Sequence, residues 1–567
     1  MYRSYDFDRF LRYEELVEWL NAVAGAHPDL VTIETYGQSF EGRDLLIATV
    51  TDSSTGSHDT KPAHWIDASI HAVELTATVA ACRVLQRLVD GFTTGDEQMV
   101  RALQTRTFYI VPRVNPDGAE WAMADTPKFR RSSVRPWPLA DGHRMPGHLS
   151  EDIDGDGRIL QMRIADPDGQ WMPHPDDARL LIPVPPQGAP ADTPRYRLLG
   201  EGTIENYDGF TVPKPRPPEG LDMNRNYPAG WGTTVPGSGD HPLSEPEIDA
   251  LVRALVARPN VCGFNAFHTS GGVLLRPSST AADATLPPND VWVWKQFAET
   301  GTALTGYPGH SVYEDFTWDY SETMSGASDD WAYEHLGVFG WTTEFWDIVH
   351  AATGTKVSTK SWYIGATDEQ SLAVLQWLDE QERSHPSSGD QNTMGFVDWY
   401  DFDHPQLGMV ELGGWNGLYS WTNPPLHLLR EEVDSHCEFA VHQALAAPCI
   451  EIKHTSVEAL GQDTWRVTVG VANTGWLPTY VTEKAKKDNI VRSAAVELAG
   501  GDVIDGPARR EIGQLAGSIS ARFNQGGGGS PERALAAWTV RATRGTELRI
   551  TASHQRAGTK TATLVLD

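Results

Sequence analysis

The sequence predicts an α/β fold, a mixed twisted sheet with helices on both faces, followed by an all-β sandwich. Three observations predict it. Between residues 13 and 383, apolar runs of strand length alternate with stretches whose apolar residues recur at helical spacing. Beyond Cys449 the period changes to two: Trp465, Val467, Val469 and Val471 alternate with Arg466, Thr468 and Gly470. From about residue 133 to 220, Pro, Gly and Asp accumulate without a sustained period, which reads as an insertion. The expected organisation is a first domain over 1–430 carrying that insertion and a β-sandwich over 450–567.

Taken in order, Tyr13 to Ala24 places Leu16, Val17, Trp19, Leu20 and Val23 on one stripe and stops at Gly25, an amphipathic helix. Val31–Tyr36 and Asp44–Thr51 read as paired strands around Gly37–Gly42. Ala63–Ile70 is the next strand, and Leu75–Val89 a helix behind it. Arg106–Val111 is a buried-looking strand that runs into the turn Asn115-Pro116-Asp117-Gly118. After the insertion come a helix at Ser244–Ala257, a strand at Val261–Phe267, a helix near Asp290–Leu304, a strand at Phe339–Phe345 and a helix at Gln370–Arg383. Trp538–Ala542, Glu547–Thr551 and Thr561–Leu566 supply further sandwich strands.

The chain of 567 residues is long enough for more than one core. Its 46 Lys and Arg against 76 Asp and Glu leave a net charge of −30, which argues against nucleic acid and anionic membranes as partners. The first thirty residues alternate charged and apolar groups without a signal-peptide or membrane-spanning segment, so a cytoplasmic location is expected. Cys82, Cys262, Cys437 and Cys449 form no C-x-x-C pair and read as free thiols.

Two stretches carry chemistry on local grounds. His71 and Glu74 stand at a strand-to-helix junction, three residues apart, where an imidazole and a carboxylate can reach one metal ion. The same spacing recurs at His148 and Glu151, so the pair alone does not define a site. Inside the insertion, Asp152, Asp154 and Asp156 followed by Gly157 match the first half of an EF-hand loop, which makes calcium an expectation there. Position 12 of that loop is Arg163 where a chelating glutamate belongs.

Three further stretches complete a pattern: Leu221-Asp222-Met223-Asn224-Arg225-Asn226-Tyr227, Phe264-Asn265-Ala266-Phe267-His268-Thr269-Ser270 and Thr342-Thr343-Glu344-Phe345-Trp346-Asp347. With the Gly37–Arg43 turn and Asn115–Gly118, they resemble the zinc metallocarboxypeptidases, the family that includes carboxypeptidase A, over about residues 10 to 380 apart from the insertion. The resemblance implies one zinc per chain held by His71, Glu74 and His268, with Asp222 steadying a ligand histidine. It implies Glu344 as general base and Arg130, fifteen residues after Asn115, as oxyanion stabiliser. Asn224 and Arg225 match the clamp for a substrate's terminal carboxylate.

Two departures stand out: Glu322 occupies the position of the family's capping tyrosine, with Tyr320 two residues away, and Val73 stands where an arginine is common. Asp329 falls at the floor of the specificity pocket, which implies a preference for basic terminal residues. The implied partner is a peptide with a free C-terminus. The alternatives are a metallo-amidase acting on peptidoglycan-type stem peptides and a non-catalytic peptide- or glycan-binding protein. Intact Glu344, Arg130 and Arg225 argue against the latter.

Overall fold

The computed structural model describes residues 5–137, 147–213, 219–317, 324–356, 365–386, 393–523 and 529–567. Its centre is an eight-stranded sheet in the order Val31–Gln38, Asp44–Val50, Thr107–Val111, Ala63–Ala68, Val261–Thr269, Phe339–Phe345, Val273–Arg276, Gly309–Ser311. The four central strands run parallel, and the Val31–Gln38 and Asp44–Val50 hairpin adds antiparallel to one side. Parallel strands need crossovers, and the apolar faces of those crossover helices cover the sheet.

Alternation along the strands divides the core. Ile66, Ala68, Phe108, Ile110 and Phe267 face a layer built from the helices Tyr13–Ala26, Leu75–Thr94 and Leu429–Ala446. Trp65, Tyr109, Val111, Phe264 and Ala266 face the opposite layer, which includes the helix Pro246–Val256. The two layers bury both faces, as the fold prediction requires. Leu429–Ala446, absent from the sequence reading, packs on both Leu75–Thr94 and Pro288–Thr305.

Segment 133–220 is more ordered than its composition suggests. Gln161–Ala165, Trp171–Pro173, Leu181–Pro183 and Tyr196–Gly200 join the hairpin Phe396–His404 and Gly408–Trp415 in a six-stranded antiparallel sheet. The insertion thus finds its partner strands more than two hundred residues further along the chain.

Beyond Cys449 two four-stranded antiparallel sheets pack face to face, with Val467, Val469 and Trp538 of one against Val496, Leu548 and Ile550 of the other. This sandwich is docked on the α/β part. Arg556 is buried and donates to the carbonyls of Leu336, Gly337 and Tyr480. Asp290 accepts from the backbone of Glu483 (2.8 Å) and Lys484 (3.1 Å) and from the Tyr333 hydroxyl (2.9 Å). One apolar cluster, including Trp294, Tyr333, Trp341, Leu477 and Ile519, crosses the junction. The four cysteines are free. No helix of the described residues is long and apolar enough to cross a membrane.

Candidate metal centre and substrate cleft

The carboxyl ends of the parallel strands supply the site, the general location for ligands in open α/β sheets. Ala63–Ala68 leads into Ser69, whose left-handed backbone (φ 54°) turns the chain, and its hydroxyl donates to the Glu74 carbonyl at 2.9 Å. The helix begins at Leu75, so His71 and Glu74 lie in the turn ahead of it, at the strand-to-helix junction. His268 is the penultimate residue of Val261–Thr269, and Glu344 is its register partner on Phe339–Phe345.

Three donor atoms converge. His71 Nδ1 and His268 Nδ1 lie 2.7 and 3.0 Å from the two oxygens of Glu74 and 3.2 Å from each other. All three residues are buried. These separations approach the edge of a tetrahedron with bonds of about 2.1 Å, roughly 3.4 Å, so the donor set fits zinc with one position left open. The carboxylate between two imidazoles is held well below its usual range: burial opposes this, and the charges of His71 and His268 outweigh it.

A support layer fixes the ligands. His71 Nε2 meets Asp222 Oδ1 at 3.1 Å, which leaves Nδ1 free for a metal. Asp222 also accepts from Asn224 N and Arg131 Nε. Ser132, which the sequence reading passed over, ties the loops together: its hydroxyl donates to the Ile70 carbonyl and receives the Met223 N–H. Asn115 adds a bond to the Ser132 carbonyl at 2.6 Å.

One assignment is corrected. Arg130 turns to Glu219 and the Phe129 carbonyl, outside the cleft, while the neighbouring Arg131 enters it, with Nη1 3.5 Å from Glu74 Oε1. The cause is a backbone bond, Ala72 N to Arg131 O at 3.1 Å, which sets the register of this loop against the His71 turn.

The cleft has a volume of about 620 Å³. Arg131, Asn224 and Arg225 line one part, and Leu275, Val312, Phe316 and Met324 form an apolar wall. Asn224 is buried and held by Ser328 N, which donates to its Oδ1 at 2.9 Å, and Arg225 Nη1 braces on the Asn224 carbonyl. Glu344 opens onto the cleft, and burial with the charges of Glu74 and Asp329 pushes its carboxyl up to about 7.

Asp329 is a buried carboxylate on the cleft wall. It is the second residue of the short helix Ser328–Trp331 and does not cap it; Asp330 N donates to its Oδ1 at 3.0 Å. Burial raises its proton affinity despite His268 and Arg225 nearby. Tyr320 and Glu322 lie outside the described residues.

The Asp-rich loop does not complete an EF-hand. Asp156 is paired with Arg158, and Arg163, at the position of the chelating glutamate, is paired with Glu411. The carboxylate that joins Asp152 and Asp154 within 4.8 Å is Glu201, which the sequence pattern gave no reason to choose. Asp152 accepts from the Gly155 and Gly157 N–H groups, and Tyr400, on the strand Phe396–His404, donates to Asp154, so protein groups partner these carboxylates.

Two histidines and a glutamate around one position, with the Glu344 carboxylate and two cleft arginines beside them, make up a candidate metal centre. A family profile described as zinc carboxypeptidase matches residues 16–139 and 197–362, about half of the chain, and the protein belongs to that family. A second profile, a domain of unknown function (DUF8731), matches residues 449–565. The chain is 28% identical to carboxypeptidase B of Astacus astacus over 172 residues, 30% of this chain and 48% of that protein. It thus spans about half the length of that relative. It is 28% identical to carboxypeptidase A2 of Rattus norvegicus over 393 residues, 68% of this chain and 72% of that protein. Among solved structures, thrombin activatable fibrinolysis inhibitor aligns with a TM-score of 0.43 at 14% identity, covering 78% of this chain and 75% of that one.

Proposed function

We propose that this protein is a zinc-dependent carboxypeptidase that releases the C-terminal residue of peptides. The observation that carries the reading is the convergence of His71, Glu74 and His268 at the edge of a cleft that Arg225 and Glu344 line. His71, Glu74 and His268 would hold a zinc ion, which would supply Lewis acidity and lower the pKa of water toward neutrality.

The chain's own groups then divide the work. Asn224 and Arg225 hold the terminal carboxylate of the substrate, so the bond presented to the centre is the last one. Glu344 takes the proton of the attacking water and passes it to the leaving amine, a role for which a carboxyl near neutrality is suited. Arg131 donates to the oxygen on which negative charge develops. Asp329, buried and without a cationic partner at hydrogen-bonding distance among the described residues, receives a basic side chain of the departing residue; an apolar one would leave that carboxylate uncompensated. The amine of a diamino acid ending a peptidoglycan-type stem peptide meets the same requirement, so that substrate belongs beside Lys and Arg in any screen.

Metal analysis of the purified chain should give about one zinc, and chelation should abolish hydrolysis. Amidating the substrate's C-terminus removes a charge-assisted contact worth about 1.5 to 3 kcal/mol, a fall in kcat/KM of roughly ten- to a hundredfold. Equal cleavage of free and amidated peptides would overturn the exopeptidase reading.

A further inference from the structure

We propose that Asp67 positions His268 for metal binding through an ordered water held in a polar chamber behind the centre. This rests on the zinc reading above. His268 turns Nδ1 toward Glu74, so as a ligand it must carry its proton on Nε2. That Nε2 is buried and has no partner among the described residues. His71 solves the same problem with Asp222, and His268 shows no such contact.

The sheet register identifies the group that answers it. Asp67 is paired in register with Ala266, and His268 lies two residues further on the same strand, so His268 and Asp67 stand on one face. Trp65 Nε1 engages one Asp67 oxygen at 2.9 Å. Two more polar groups answer to the same carboxylate: the hydroxyls of Tyr36 and Tyr227 are buried without partners among the described residues, and both lie within the field of Asp67. Asp67 in turn lies within the field of His268. Asp329 and Glu344 also sense His268, but both line the open cleft. Buried polar groups with no protein partner are ordinarily bridged by internal water making two to four bonds. A water accepting from His268 Nε2 and donating to Asp67 fixes the tautomer, and the two phenols complete its surroundings.

The test is the zinc dissociation constant of full-length wild type and Asp67→Asn, measured by competition with a chromophoric chelator. Loss of such a support costs about ten- to a hundredfold in metal affinity, and that is the expected weakening. The cobalt-substituted variant should also show shifted d–d bands, which a change confined to packing would leave in place. If the variant does not fold, a crystal structure of zinc-loaded wild type decides: a water within hydrogen-bonding distance of both His268 Nε2 and Asp67 is required. Equal zinc affinity in Asp67→Asn, or no such water, overturns the proposal alone. Wild type that binds no zinc overturns the functional reading, and this one with it.

Discussion

Glu344 stands between groups that pull its proton affinity in opposite directions: burial, Glu74 and Asp329 raise it, His268 and Arg131 lower it. Glu344→Gln keeps the shape and removes the base, so zinc content should stay at wild-type level while kcat falls by about 10² or more. Metal analysis and steady-state kinetics on the same preparation check this; near-wild-type turnover would remove Glu344 from the role. The two arginines offer a sharper comparison. Arg131→Ala should cost about 10² to 10³ in kcat if it faces the developing oxyanion, whereas Arg130→Ala should act mainly on stability through Glu219. The reverse ranking would restore the assignment obtained by counting from Asn115. Asp329→Ala should erase any preference for Arg and Lys over Phe and Leu in kcat/KM; a wild-type preference for Phe, unchanged by the substitution, would leave the carboxylate without a part in specificity.

At the scale of elements, what was legible followed from how local the signal is. The helix Leu75–Thr94, the central strands and the sandwich strands declare themselves by period, and His71, Glu74, Asp222, His268 and Glu344 sit in short contiguous motifs next to them. Arg130 and Arg131 carry the same sequence signal, and contacts distant in the chain, such as the bond from Ala72 N to Arg131 O and the pairing of Arg130 with Glu219, separate them. Leu429–Ala446 escaped because it is buried on several sides and carries His436 and Gln443 inward, which blurs an apolar stripe. The strands of the insertion are three to five residues long, and four of them are joined, through Gln161–Ala165, to a hairpin near residue 400, a relation no local window contains. The junction with the sandwich was equally hidden, and it turns on Gly337. This glycine has φ +60°, and a Cβ there would stand 2.5 Å from the Cβ of Ala485. Gly337→Ala therefore meets a left-handed backbone penalty of about 1 to 2 kcal/mol plus displacement of the Glu483–Lys487 helix. Chemical unfolding should show the loss, and adding Ala485→Gly should recover part of the steric cost only, because the backbone of residue 485 stays 2.9 Å from that Cβ; an unchanged unfolding midpoint would mean the junction yields freely.

Over the whole molecule, charge is concentrated and part of it is buried. The net charge is −30, and burial, the leading cause in each case, holds Asp67, Glu201, Glu247, Asp330 and Glu344 up to about 7 and Asp290 to about 6. A carboxyl whose folded pKa is raised binds more protons folded than unfolded, so its stabilising contribution is present at low pH and is lost as pH rises through the folded value. Buried His64, His436 and His554 act the other way: burial lowers them to about 3 or 4, and their contribution is lost as pH falls below the ordinary histidine range. Between pH 8 and pH 6 more groups cross their folded pKa on the carboxyl side, and the thermal unfolding midpoint of the metal-free chain should rise over that interval. Glu247 isolates one contribution. It is buried on the helix Pro246–Val256, accepts from Phe40 N at 2.8 Å, and its Oε2 has no partner among the described residues. Glu247→Gln imitates the protonated form, so it should raise the midpoint at pH 8, change it little at pH 6, and flatten the slope between them. A variant whose midpoint tracks wild type in parallel across the interval would show that Glu247 titrates alike in the folded and unfolded chain.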